Sequence, residues 1–357
     1  MSSLAFDASA APLLSDADQS RSARSIVAEQ LPSGLVPRFR DGNADPWNHV
    51  EALMALSSTG FVGDAERGYR WLRQAQDRSG AWAAYYTADG IEDPRHDTNV
   101  CAYVAAGTWH HYLTTGDRSF LEGMWPVVER AIDFVLRFQE PGGEVLWIVD
   151  TDGTPGTYAL LTASSSIYQS LRCAVAVAEE MGADRPDWEL AAGRLRHALA
   201  HREECFEPKE RYSMDWYYPV LAGALTGAAA SKRLDSGWDE FVIGGRGVRC
   251  VRDKDWVTTA ETAECAIACA AAGRPDDART LLTWIAEQRR EDGSYLTGTV
   301  YPQGDSFPRH QRTTYSAAAM VLATRAVSPV RAADTMLLGT DLPCGFDIEP
   351  DAIGDPA

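Results

Sequence analysis

No apolar run in this chain of 357 residues approaches the roughly 18–20 residues that a membrane-spanning helix needs. The opening stretch, MSSLAFDASAAPLLSD, has neither the charged nor the apolar part of a signal peptide. The sequence therefore predicts no membrane span and a cytoplasmic location. Basic residues are also short: 33 Lys and Arg stand against 51 Asp and Glu, a formal charge of −18. No basic patch offsets it, so nucleic acid and anionic membrane are excluded as partners. The seven cysteines are an odd, scattered set without a CxxC pair. They read as reduced thiols of a core, Cys265 and Cys269 included. GxGxxG, GxxxxGK[ST], HExxH and GxSxG are all absent, which removes the usual nucleotide, zinc-protease and serine-hydrolase signals. Ser164-Ser165-Ser166 lacks the glycines of a nucleophile elbow. His197 and His201 are four apart without a carboxylate or cysteine partner, so no metal is expected. No cofactor is expected either. Oligomeric state leaves no mark in the sequence. No Pro/Gly/Ser-rich linker divides the chain, so one large domain is expected despite its length.

What is present is a repeat. Arg67 to Trp82, RGYRWLRQAQDRSGAW, reads as the end of an amphipathic helix, a Gln, a short turn, then Gly-x-Trp. Arg130 to Trp147 has the same order with a longer turn. Leu281 to Tyr295 has it again with Tyr in place of Trp. Repeated helix ends of this kind point to a repeat architecture. Gly takes a backbone angle that other residues resist, and the aromatic packs back on the helix.

Periodicity and start and stop signals predict twelve helices. They run at about 16–31, 46–58, 64–78, 97–116, 118–139, 159–181, 186–204, 215–230, 234–241, 259–273, 275–290 and 312–326. Residues 1–15 read as a flexible tail, 16–327 as one domain and 328–357 as a peripheral tail. The odd helices are charged and amphipathic, as in AERGYRWLRQAQ. The even ones are rich in Ala, Ser, Cys and Val, as in AECAIACAAAG and TTYSAAAMVLA. A helix apolar all round is buried. The alternation therefore predicts an all-α fold: six hairpins in a closed ring, even helices inside, with six inner N-termini at one end.

The helix-end device resembles the QW motif of α/α toroids, the fold of squalene and terpene cyclases and of protein prenyltransferase β subunits. Residues 110–139 are similar to six-hairpin glycosidases, whose outer helix has the T-G-D-x-x-F-L-x-x-x-W-P order found here at 115–126. Either resemblance implies an (α/α)6 toroid. The residues that carry cyclase or prenyltransferase chemistry have no counterpart: Asp150-Thr151-Asp152-Gly153 reads as a turn rather than DxDD, and no Asp, Cys and His zinc set can be placed.

Each inner helix begins with residues that its packing does not require: DPWNHVE at 45–51, EDPRHDTN at 92–99, SMDWYYP at 213–219 and WVTTAETAE at 256–264 among them. Carboxylates beside Trp and Tyr around a concave mouth suit sugar rings, which offer hydroxyl donors and apolar faces. The glycosidase resemblance implies a carbohydrate-active enzyme that hydrolyses a glycosidic bond with a carboxylate pair. The candidates for that pair are Asp97, Asp215, Glu261 and Glu51. Substrate contacts are expected from Trp47, His49, His96, Asn99, Trp216 and Tyr217, on a small-molecule or oligosaccharide substrate. Some of these residues also fit plainer roles. Asp45, Asp97 and Asp215 stand where helices need caps, Thr258 to Glu261 fits a capping box, and Trp216, Tyr217 and Tyr218 fit a core. Two other readings of the fold are an isoprenoid-transforming toroid and a toroid kept only for binding.

Overall fold

The computed structural model describes residues 13–328, 332–339 and 342–343. Most of the expected tail over 1–15 lies outside them. The helices, in chain order, are α1 (Asp16–Val27), α2 (Pro46–Ser58), α3 (Val62–Ala75), α4 (Thr98–Ala102), α5 (Val104–Thr115), α6 (Arg118–Leu136), α7 (Leu161–Met181), α8 (Pro186–His201), α9 (Ser213–Leu221), α10 (Gly227–Phe241), α11 (Thr259–Ala271), α12 (Pro275–Ile285), α13 (Thr314–Val327) and the short α14 (Ala332–Met336). α4 and α5 form one inner element, broken at Tyr103.

The inner helices close a ring: α2 packs on α5, α5 on α7, α7 on α9, α9 on α11, α11 on α13, and α13 on α2. Outside it, α3, α6, α8, α10 and α12 each back onto the inner helix before or after them, and α1 backs onto α13. Burial follows the composition. α2 is buried along nearly its whole length, whereas α3 buries one stripe through Ala65, Tyr69 and Leu72. The fold is thus the predicted (α/α)6 toroid.

The largest departures from the expected boundaries lie between α9 and α10, while α1 and α12 end four and five residues early, at Val27 and Ile285. The helix expected over 215–230 stops at Leu221, beyond the internal Pro219 and just before Gly223 at φ +76°. α10 then starts at Gly227, earlier than the expected 234. In the described part of 328–343, α14 lies against α5 and α13. Arg172 of α7 donates to the carbonyls of Gly339, Leu342 and Pro343. This stretch of the expected peripheral tail is therefore tied to the ring.

The repeated device has a clear mechanical role. Gln76 Nε2 donates to Gly80 O and to Val127 O of the next outer helix, both at 2.9 Å. Gln139 does the same to Gly143 O and Ala191 O. Gln30 repeats it on Gly34 O and Asp64 O, a copy that the sequence hid because Val36 stands where Trp or Tyr is expected. Each turn glycine has φ near +100° and lies against a backbone carbonyl, of Arg67, Arg130 and Arg194 in turn. A Cβ there would strike that carbonyl. Trp82 packs back as expected, its indole N–H on Leu72 O at 2.9 Å. At the seam, Arg289 after α12 holds Asp18 of α1 through side chain and carbonyl.

Inner-to-outer turns are short. The outer-to-inner connections are long, over 28–45, 76–97, 137–160, 202–212, 242–258 and 286–313. They carry the strands β1 (Tyr85–Thr87), β2 (Gly90–Asp93), β3 (His96–Asp97), β4 (Ile148–Val149), β5 (Val242–Ile243), β6 (Gly247–Val248), β7 (Trp256–Thr258), β8 (Gly298–Val300) and β9 (Asp305–Ser306). Among the described residues these strands all pair antiparallel, and β7-β8-β9 form a three-stranded sheet. The long connections and the inner N-termini therefore share one face.

Candidate active site

Two tiers of acidic side chains occupy that face. The upper tier is a lip at the first turn of the inner helices. The lower tier is a floor one to two turns further in.

On the lip, Asp45 caps α2. Its Oδ1 accepts the backbone N–H of Asn48 at 2.9 Å, and Oδ2 accepts the Asn48 amide at 2.6 Å. Arg38 Nη1 lies 3.9 Å away. Asp45 is only 5% exposed, and burial pushes its carboxyl up against the opposing pull of Asn48 and Arg38. Its charge acts on Glu51 below, on Asp97 and on Tyr85, so it stands centrally. Glu261 occupies the first turn of α11, half-buried. It is not half of a capping box: Thr258 makes no side-chain cap and its hydroxyl has no partner. The Glu261 charge acts on Glu264, Tyr217, Cys250 and Tyr315. Asp97 has both oxygens engaged. Oδ1 caps α4 through the N–H groups of Asn99 and Val100, and Oδ2 accepts the Trp147 indole N–H at 2.6 Å. Burial still lifts its pKa to about 6.

On the floor, Glu51 of α2 faces Glu264 of α11. They are 7% and 8% exposed. Tyr217 OH donates to Glu264 Oε2 at 2.5 Å, and Tyr218 OH to Oε1 at 3.4 Å. Burial raises Glu264 to about 8, with the Tyr217 bond pulling it down and the Glu261 charge pushing it up. Burial, then the charges of Glu264 and Asp45, lift Glu51 well above its ordinary value. Trp47 sits edge-on to Tyr218 at 5.7 Å and 5.9 Å from Tyr103. Its buried indole N–H lies toward the Glu51 carboxyl and the Tyr103 hydroxyl and favours their charged forms.

The remaining sequence candidates lie elsewhere. His49 is fully buried, away from the tiers. It accepts the Val36 N–H at Nδ1, faces Gly68 O through Nε2 and packs on Trp71. Burial lowers it to about 4, which leaves it neutral. His96 pairs with Asp77 at 3.1 Å and abuts Phe134. Asn99 is buried with Oδ1 unpartnered. Asp215 does not cap α9; its Oδ1 accepts from Thr162 at the start of α7, with the hydroxyl at 2.5 Å. Trp216 stacks on Phe241 and donates to Arg233 O. Tyr217 is wholly buried behind Glu264.

The structure thus brings together Trp47, Glu51, Tyr217 and Glu261, and adds Asp45, Tyr103, Tyr218 and Glu264. Asp45 and Glu264 looked like helix-start residues in the sequence, and Tyr218 like core. The signal for Glu264 was its three-residue spacing from Glu261, which puts both on one helix face. Nothing in the linear order marked Tyr103. Among the described residues no group of three or more His, Cys, Asp or Glu is arranged to hold a metal ion.

No protein-family model matches the chain. One curated relative is the MMP endo-(1,4)-3-O-methyl-alpha-D-mannosidase of Mycolicibacterium hassiacum. It is 47% identical over 331 residues, which cover 93% of this chain and 92% of the relative. Solved structures with the same fold include a glycosidase carrying the E178A substitution, at TM-score 0.70 and 16% identity over 88% of this chain and 96% of that one. A D-mannose isomerase aligns at TM-score 0.65 and 11% identity, over 87% and 96%. An alpha-amylase from Clostridium perfringens aligns at 0.63 and 10%, over 88% and 99%. These structural likenesses speak for fold alone.

Proposed function

Because this chain belongs to the family of that mannosidase and is a glycoside hydrolase, we propose that it cleaves internal α-(1,4) bonds in a chain of 3-O-methylated mannose. Asp45 acts as the proton donor and Glu261 as the base or nucleophile. The observation that carries the assignment is the two-tier arrangement. Glu51 lies six residues beyond Asp45, about 9 Å deeper at 1.5 Å per residue. A chain cut at an internal bond lies across the mouth, and its glycosidic oxygen meets the lip before the floor. Asp97 and Asp45 each have both oxygens engaged, but Asp97 is pinned by the Trp147 indole from a separate connection, whereas Asp45 is held by Asn48 of its own helix and its charge reaches Glu51 on the floor. Asp215, tied to Thr162, lies beside the lip. Asp45 and Glu261 remain, one from α2 and one from α11. Burial keeps Asp45 raised, which suits an acid; half-burial at the mouth suits a base or nucleophile. Trp47, Tyr103 and Tyr218 supply the apolar surface that methyl ethers and sugar faces need.

The test is kinetic. Asp45→Asn keeps a capping oxygen and Glu261→Gln keeps the shape, yet neither can trade a proton. Each should lower kcat by roughly 10²–10⁴ with little change in melting temperature, while Glu51→Gln costs less. Turnover surviving in either lip variant, or lost only in Glu51→Gln, overturns the assignment. Buried thiols at Cys101, Cys173, Cys265 and Cys269 support a reducing compartment, hence the cytoplasm. The excess of acidic residues supports a neutral carbohydrate as the partner rather than a nucleic acid.

A further inference from the structure

Beside the lip, on the same face, a cavity of about 560 Å³ opens between the 202–212 connection, the start of α9 and the end of α10. Asp215 lines it. That carboxyl is 7% exposed; Oδ1 is held by Thr162, while Oδ2 makes no hydrogen bond among the described residues. Burial raises its pKa against the Thr162 bonds. Phe206, Trp216 and Phe241 give the cavity apolar walls. Its cations are already paired: Arg233 with Glu203, Lys209 with Glu207 and Arg252 with Glu240. Glu210 adds further negative charge and Arg233 is shared between Glu203 and Asp215, so an anionic ligand is repelled.

A buried acceptor with one free oxygen, aromatic walls and no spare cation fit a neutral polyhydroxylated ring. We propose that this cavity is a distal subsite for the carbohydrate chain, in which Asp215 Oδ2 accepts hydroxyl hydrogen bonds from a sugar unit remote from the cleaved bond. The location fits: Leu161 and Asp215 bring α7 and α9 N-termini to its edge, and a chain leaving the mouth over those helices enters it. The proposal rests on the endo-acting reading of the lip. It gives Asp215 a positioning role, separate from the lip pair.

The experiment compares wild type, Asp215→Asn and Ser236→Trp on α-(1,4)-linked 3-O-methylmannose oligosaccharides of increasing length. Asn keeps an oxygen for Thr162 but weakens the acceptor. Trp at 236, on the cavity wall, fills the space while leaving the Asp215 residue itself unaltered. Both variants should raise KM on long chains about tenfold, the size of one lost hydrogen bond to a charged group. kcat on the shortest cleaved chains should not change. Equal losses at every length, or no loss at any, overturn the subsite. Calorimetric titration of the longest chain separates this outcome from failure of the functional reading. If wild type binds the chain without cleaving it and Asp215→Asn binds about tenfold more weakly, the subsite stands and the lip assignment falls. If wild type does not bind, both fall.

Discussion

Glu264 carries its proton to unusually high pH because burial outweighs the two tyrosines that favour its charge. Its value of about 8, against an ordinary 4.5, has a definite sign for stability. Between those limits the folded chain holds a proton that the unfolded chain releases. The stability this contributes is complete below about 4.5 and is lost as pH rises through about 8. Glu51 pulls the same way. The melting temperature should therefore fall across that window, and Glu264→Gln, which cannot ionise, should flatten part of the fall. Tyr217→Phe removes a hydroxyl that favours the charged form, so it should carry the fall to higher pH. Melting curves at stepped pH check both; an unchanged slope in Glu264→Gln would refute the assignment. Such residues were only half legible in the sequence. A Glu in an Ala-rich inner helix announces itself as costly to bury. That Tyr217 stands behind it, rather than toward a substrate, depends on how α9 is rotated, and neighbouring helices set that rotation.

At the scale of elements, the glycine turns after the outer helices separate two costs that usually travel together. Gly80 has φ +99° and its missing Cβ would meet the Arg130 carbonyl; Gly153 has φ +87° and open space around it. Gly153→Ala should cost about 1–2 kcal/mol, the strain of a left-handed backbone alone. Gly80→Ala should cost roughly 3 kcal/mol or more, since the next outer helix must also move. Urea midpoints of the two variants measure the difference, and similar values would mean that the outer ring is looser than its hydrogen bonds indicate. This level was the most legible one. Composition separated inner from outer helices, and Gln four residues before Gly marked two of the turns, whereas in the third copy Gln288 stands five before Gly293 and accepts from Thr299 instead. What the pattern missed was the Gln30 copy, because the aromatic is dispensable once the Gln amide bridges turn and neighbour. It also misplaced the α9–α10 boundary, where Pro219 and Gly223 outweigh a run of good helix formers.

For the whole molecule, closure is the dominant fact. Inner contacts run full circle from α2 through α13 and back, and the seam between α12 and α1 is drawn together by Arg289 on Asp18. Bonds from Ser15, Arg21 and Arg289 hold the Asp18 carboxyl well below the usual carboxylate range, so the seam is charged at neutral pH. It weakens as pH falls below the ordinary value of 3.8. Asp18→Ala should raise amide exchange first in α1 and in α13, the helix it backs onto, with α6 and α7 across the ring unaffected. Uniform loosening would show that the ring has no preferred point of opening.

The seam also decides how the protein can be held. Asp16, Gln19 and Ser20, at the start of α1, line the same pocket as Arg325 near the end of α13. Ser58 and Thr115, which end inner helices, line it too. The start of α1 and the end of α13 thus lie at the base of the ring, on the side opposite the inner N-termini and the candidate mouth. A tether attached ahead of α1 would anchor the enzyme to a bead or a scaffold with its mouth outward, free to work on polymers too large to diffuse beneath it.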